Sequence, residues 1–171
     1  MIILAIIFGA LVFIGLIGFL FPRKVHVERT LILDTSIEKV WTQVSELENF
    51  GLWNPWAKKD PNIEIEITGT GKGSKYKWKG NRSVGEGSLE ITNLEQNRKV
   101  DMELLFGRNP NPATTSIILQ SEGIKTKITW TMDTDMGNNP AGRYMGLFMD
   151  KFVGKDYEIG LENLRNVCEN N

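Results

Sequence analysis

The stretch GNNPAGRYMGLFMDKFVGKDYEIGLENLRNVC, residues 137–168, is where the chain changes its period. Beyond the turn residues Gly137-Asn138-Asn139-Pro140, Met145, Met149, Phe152, Tyr157, Leu161, Leu164 and Cys168 recur every 3.6 residues. One apolar stripe of that kind predicts a helix of about seven turns. The segment before it, from Ile63 to Asp133, has period two. A sheet with a single apolar face needs a cover, and this helix is the only element long enough to provide one. Two methionines and a phenylalanine near its start suit a gap between the layers, because Met fills irregular, adaptable space.

Working back from the helix, six strands alternate in turn. Ile63, Ile65 and Ile67 oppose Glu64 and Glu66, and Tyr76 and Trp78 oppose Lys75, Lys77 and Lys79. Leu89 and Ile91 follow, then Val100, Met102, Leu104 and Phe106. Thr115, Ile117 and Leu119 come next, and finally Ile124, Ile128, Trp130 and Met132. Turn residues at 69–73, 80–81, 96–97, 109–112 and 121–123 separate them, as in short-looped antiparallel sheets. Val25, Val27, Leu31 and Leu33 alternate as an earlier strand. Thr35 with Glu38, and Ser45 with Glu48, have capping-box spacing and open two short helices, the second stopped by Gly51 and Asn54-Pro55. Trp53 and Trp56 flank that stop and are expected to seat the second helix against the sheet. The order is β-α-α-β6-α: an α+β fold with a seven-stranded curved antiparallel sheet wrapped on a long C-terminal helix.

The other end of the chain is apolar throughout. Residues 2–21 carry no charged side chain, and Pro22-Arg23-Lys24 follows at once. As a helix this stretch would be about 30 Å long, the thickness of a bilayer's hydrocarbon core. It is expected to form one transmembrane helix from Ile2 to Phe21, giving an anchor at 1–22 and a ligand-binding domain at 23–171. A cleaved leader would want a basic start and small residues at its end, and neither is present. Arg23, Lys24 and Arg29 lie on the C-terminal side, so the domain of this single-pass membrane protein is expected in the cytoplasm.

Composition narrows the chemistry. The formal net charge is -1, which gives no field to attract nucleic acid. Cys168 is the only cysteine and His26 the only histidine, so an intrachain disulfide, thiolate metal clusters and His-rich metal sites are excluded. No metal or organic cofactor is implied. Gly69-Thr70-Gly71-Lys72-Gly73 lacks the spacing of a phosphate loop and joins two strands. The lysines of the third strand fall on the face opposite Tyr76 and Trp78, so no surface presents both to a nucleic acid. Two polar residues remain as catalytic candidates, Glu86 between two glycines and Arg29 in the first strand. A carboxyl group held in an apolar pocket has a raised pKa and can exchange protons. Neither residue has a partner identifiable from the sequence.

The opening VERTLILDTSIEKVWTQVSELENFGLWNPW, the strand YKWKGNRSVGEGSLEIT, TKITWTMD and the helix GRYMGLFMDKFVGKDYEIGLENL carry a resemblance. Together they resemble the helix-grip fold of the SRPBCC or START-like superfamily, in its branch of polyketide cyclases, dehydrases and lipid transport proteins. The likeness covers about residues 25–168. It implies a hydrophobic cavity between sheet and long helix, lined by Trp78, Met102, Leu104, Ile117, Trp130, Met132, Met145, Phe148, Met149 and Phe152. It also implies that the first strand pairs with the last. The loops at 80–81, 107–112 and 135–142 then share one end with the start of that strand. The function expected is binding of a lipid or other hydrophobic small molecule. The alternatives are a cyclase, dehydratase or hydrolase using a pocket carboxylate, and a partner-binding or stress-response module with a filled core.

Overall fold

The first strand closes against the last. In the computed structural model, which describes residues 2–56, 59–107 and 111–170, seven antiparallel strands lie in the order β1-β7-β6-β5-β4-β3-β2. They are β1 (Lys24–Leu33), β2 (Glu64–Thr68), β3 (Lys75–Lys79), β4 (Glu86–Glu95), β5 (Lys99–Phe106), β6 (Ala113–Glu122) and β7 (Lys125–Asp135). The helices are α1 (Ile2–Gly18), α2 (Ile37–Val44), α3 (Leu47–Trp53) and α4 (Pro140–Glu169). Lys24 pairs with Asp135, Leu104 with Ala113 and Lys79 with Glu86. The start of β1, the β3–β4 turn, the β5–β6 connection and the β7–α4 loop therefore share one end, as the alternation of direction requires. Asn109 and Pro110, expected within that β5–β6 connection, lie outside the described residues.

Alternation decides the inner face. Val27, Leu33, Ile91, Val100, Ile117 and Ile128 are almost completely shielded, and α4 adds Tyr157, Leu161, Leu164 and Cys168. Burial pushes the Cys168 thiol up to about 11, leaving it a small apolar filler rather than a nucleophile. The 30 residues of α4 run about 45 Å alongside β1. Gly146 sits against Val25, Gly154 against Arg29, and Glu169 accepts from the Asp34 amide at 2.8 Å. The lysines of β3 face outward as expected, with Lys75 paired to Glu90 and Lys77 to Glu66.

Several expectations need correction. Neither capping box forms: the N-caps are Ser36 and Glu46, without side-chain capping bonds. Ser45 instead ends α2, its helical backbone donating to Trp41, so it has no extended conformation from which to cap α3. Ile124 belongs to the β6–β7 turn and is 86% exposed, the inward position there being taken by Thr126. The first helix is also shorter than expected. It spans 17 residues, about 25 Å, and stops at Gly18. There the amides of Phe19, Leu20 and Phe21 turn back to carbonyls three residues earlier. Among the described residues no helix is long and apolar enough to cross a membrane, so the expected transmembrane span is not observed.

Candidate ligand site

One half of the space under α4 is packed solid. Trp130 and Tyr157 stack with ring centroids 3.8 Å apart, and Trp53 meets Trp130 edge-on at 5.3 Å. Phe50 fills between, 4.8 Å from Trp53 and 5.4 Å from Tyr76. Beneath the stack, Thr115 Oγ1 donates to the Thr131 carbonyl at 2.7 Å and accepts from Trp130 Nε1 at 3.0 Å. The Tyr157 hydroxyl lies 3.1 Å from the same oxygen, and burial pushes its phenol well above the ordinary value. Trp53 Nε1 donates to the Gln43 carbonyl and Trp56 Nε1 to Asp156 Oδ2. The two tryptophans therefore seat α3 between α2 and α4.

The other half, the open half, is less covered. Met145, Met149, Phe152, Asp156 and Asn163 share one flank of α4, spaced four, three, four and seven residues apart. Asp156 meets Trp56 and Lys59 on that flank, and Asn163 meets the Trp53 carbonyl. Toward the helix start this cover gives out. Met145 is 57% and Phe152 59% exposed, Phe148 stands on the rim with its ring 6.4 Å from Phe152, and Met149 is half-buried. At the same end the sheet's inner face carries Trp78, Leu104 and Phe106, none of them fully buried. Gly87 matters here: a Cβ would collide with both the Leu105 carbonyl of β5 and the Trp78 ring, so glycine is needed for the strand to pair and for the indole to lie along β4.

The ten residues expected to line a cavity thus divide. Met102, Ile117, Trp130 and Met132 are buried in the core. Trp78, Leu104 and Met149 pack against it with one side free, and Met145, Phe148 and Phe152 stand at the open half. Period-two reading finds the inner face but carries no information on where the cover stops.

The polar candidates are placed differently from each other. Glu86 begins β4 opposite Lys79 and shares the outer face with Ser88 and Glu90, exposed. It lines an outer groove of about 520 Å³ with Glu64, Glu66, Lys77 and Lys79, a surface of alternating charge. Arg29 lies on the inner face and is engaged by partners that the sequence does not identify. Its Nε donates to Glu158 at 2.6 Å and its Nη1 to Asp150 at 2.8 Å. The hydrogen bonds it donates to these two carboxylates raise its already high pKa, and Arg29 in turn lowers that of Asp150. Arg29 interrupts the apolar alternation of β1, and that interruption is the signal in the sequence for an acidic partner on the covering helix. A second groove, about 270 Å³, opens between Pro22, Lys24 and His26 and the α4 residues Gly146, Leu147 and Asp150. Among the described residues no group of three or more His, Cys, Asp or Glu is placed to hold a metal ion.

A curved antiparallel sheet closed by one long C-terminal helix defines a helix-grip protein. The family model described as polyketide cyclase / dehydrase and lipid transport matches residues 24–169, and the chain belongs to that family. Comparison with curated proteins gives no match. Among solved structures it is similar to norcoclaurine synthase from Thalictrum flavum in complex with dopamine and hydroxybenzaldehyde. That pair is 12% identical with a TM-score of 0.64, covering 90% of this chain and 91% of the other. The Aha1 dimer from Colwellia psychrerythraea is 18% identical, with a TM-score of 0.59 over 85% and 96% of the two chains. The di-domain ARO/CYC StfQ of the steffimycin biosynthetic pathway is 9% identical, with a TM-score of 0.64 over 86% and 51%. At such identities the likeness shows the fold alone.

Proposed function

We propose that this protein binds a hydrophobic small molecule, of the size and character of a lipid chain, in the open half between α4 and the inner face of β3 to β5. The observation that carries this reading is the uncovered flank Met145, Met149 and Phe152, at the end of the sheet that presents Trp78, Leu104 and Phe106. Apolar side chains left exposed together on one flank are costly unless something apolar covers them part of the time. Met149 and Met145 suit a guest of variable shape. The fold's other solved members bind small organic molecules in at least one case, the norcoclaurine synthase complex, which supports the same use here.

Catalysis has less support. Glu86 faces outward, away from the apolar ground, and Arg29 is held by two carboxylates. Neither is free to act on a guest in the open half. The test is titration of the detergent-extracted full chain with a dansyl-labelled fatty acid, alongside native mass spectrometry of the extract. Saturable one-to-one binding and a co-purified apolar mass support the reading. A probe that binds no better than to bovine ribonuclease under the same conditions overturns it.

A further inference from the structure

α1 is bound to α4, not merely joined to the domain by a tether. Arg143 Nη1 donates to the Phe19 carbonyl at 2.7 Å and the Phe21 carbonyl at 3.3 Å, and its guanidinium lies 5.6 Å over the Phe19 ring. The Tyr144 hydroxyl donates to the Ile14 carbonyl at 2.7 Å, while its ring meets Phe21 edge-on at 4.9 Å. Gly18 lets the helices close up, since a Cβ there would collide with Pro140 and Tyr144. Carbonyls at the end of a helix lack partners within it, and Arg143 supplies one.

The two surfaces so joined are both uncovered. On α1, Ile3, Phe8, Phe13 and Leu16 are all more than half exposed. On α4, Leu147, Phe148 and Phe152 are about half exposed, with exposed Lys151 and Lys155 among and just beyond them. An uncovered apolar area this large marks a contact surface. Its occupant must accept bare hydrocarbon along α1 and, a turn or two along α4, aromatic rings beside cations. A bilayer with anionic headgroups offers those in that order, acyl chains first and phosphates at the rim.

We infer that α1 and the exposed side of α4's first half form one lipid-contact surface for an anionic bilayer, with Arg143 and Tyr144 fixing the angle between them. This surface shares Phe148 and Phe152 with the edge of the open half, but it concerns where the protein sits and does not rest on what that half binds.

The experiment uses the full chain reconstituted with phosphatidylcholine vesicles, with and without phosphatidylglycerol. A photo-crosslinking benzoylphenylalanine replaces Phe148 in one sample and Ser88, on the outer sheet face, in another. Lipid labelling at 148 is expected to exceed that at 88 about tenfold and to rise with phosphatidylglycerol. Lys151→Glu with Lys155→Glu should lower it about thirtyfold or more, the scale of two cations lost at an anionic surface. Arg143→Ala with Tyr144→Phe should lower labelling at 148 while leaving it unchanged from a crosslinker at Phe8. Equal labelling at 148 and 88, or labelling at 148 indifferent to both phosphatidylglycerol and charge reversal, overturns the inference. Retained binding of the dansyl fatty acid by the charge-reversed variant shows that it is folded and that the ligand reading stands by itself.

Discussion

Arg29 of β1 occupies the space that a side chain at Gly154 of α4 would need, and a Cβ there would collide with the guanidinium. Glycine inside a helix costs about 1 kcal/mol relative to alanine. Here it lets an inward-facing arginine reach Asp150 and Glu158 on either side of position 154. Gly154→Ala is therefore expected to destabilise the protein, because the displaced Arg29 loses both partners. In an Arg29→Ala background the same substitution should stabilise by about 1 kcal/mol, the helix preference alone. Urea midpoints of the four proteins read this directly, and the same sign in both backgrounds would show that the two residues are uncoupled.

The Thr115 hydroxyl ties three elements together. It has one proton and two lone pairs. The proton goes to the Thr131 carbonyl, so the lone pairs receive Trp130 Nε1–H and the Tyr157 hydroxyl proton. Thr115→Val leaves two buried donors unpaired, at about 1–3 kcal/mol each, whereas Tyr157→Phe removes one donor and costs about 1 kcal/mol. Equilibrium unfolding should therefore rank Thr115→Val as the more damaging. The opposite ranking would mean that the stack of Trp130 on Tyr157, rather than the hydrogen bonds under it, fixes this part of the core.

The fold is written in periods that a reader of the sequence can follow. Alternation at Val25 to Leu33 and from Ile63 to Met132, then the stripe from Met145 to Cys168, yields the strand number and the cover, while the pairing of β1 with β7 is legible only through the family resemblance. Chain ends of elements are less legible, because Ser45 satisfies the end of α2 and the start of α3 equally well by composition, and only the packed backbone decides. The candidate site is legible only as far as which residues face inward. Whether Trp130 or Phe152 lies under cover depends on where Trp53, Trp56 and Asp156 meet across about a hundred residues. The Arg143 and Tyr144 contacts to α1 are equally remote, with carbonyl acceptors that any sequence would supply.

His26 gives the pH dependence a sign. Its Nδ1 lies 2.8 Å from Asp133 and its Nε2 3.7 Å from Glu28. The hydrogen bond to Asp133 holds the imidazolium above the ordinary value of 6.5. A group raised on folding adds stability that is complete below its unfolded value and fades as pH rises through its folded one. Stability from this pair should thus decline as pH rises from 6.5 through the higher folded value. Asp150, lowered by Arg29, behaves in the reverse sense, its contribution being lost as pH falls through its folded value. The His26 imidazole should titrate by NMR with a midpoint above 6.5, and Asp133→Asn should bring it down. A midpoint that Asp133→Asn leaves unmoved would show that the contact is not formed in solution.

The division of α4 into a covered and an uncovered half separates binding from stability. Met149 is half-buried and Phe152 is 59% exposed, whereas Trp130 is 3% exposed within the packed half. Trp130→Ala removes a buried ring and is expected to cost about 3–5 kcal/mol of stability. Phe152→Ala lies at a largely exposed position, where truncation changes stability by about 0.5 kcal/mol or less. If a hydrophobic guest rests on the open half, Phe152→Ala with Met149→Ala removes apolar contact from the guest's side. The dansyl fatty acid should then bind about tenfold more weakly, the loss expected for a phenyl ring only part of whose area the guest covers. The unfolding midpoint should fall much less than it does for Trp130→Ala. Trp78→Ala provides a second route to the same end from the sheet, because it removes the half-buried indole on which the guest would rest. Unchanged affinity in both variants, with the protein still folded, would mean that the guest does not sit between Phe152 and Trp78.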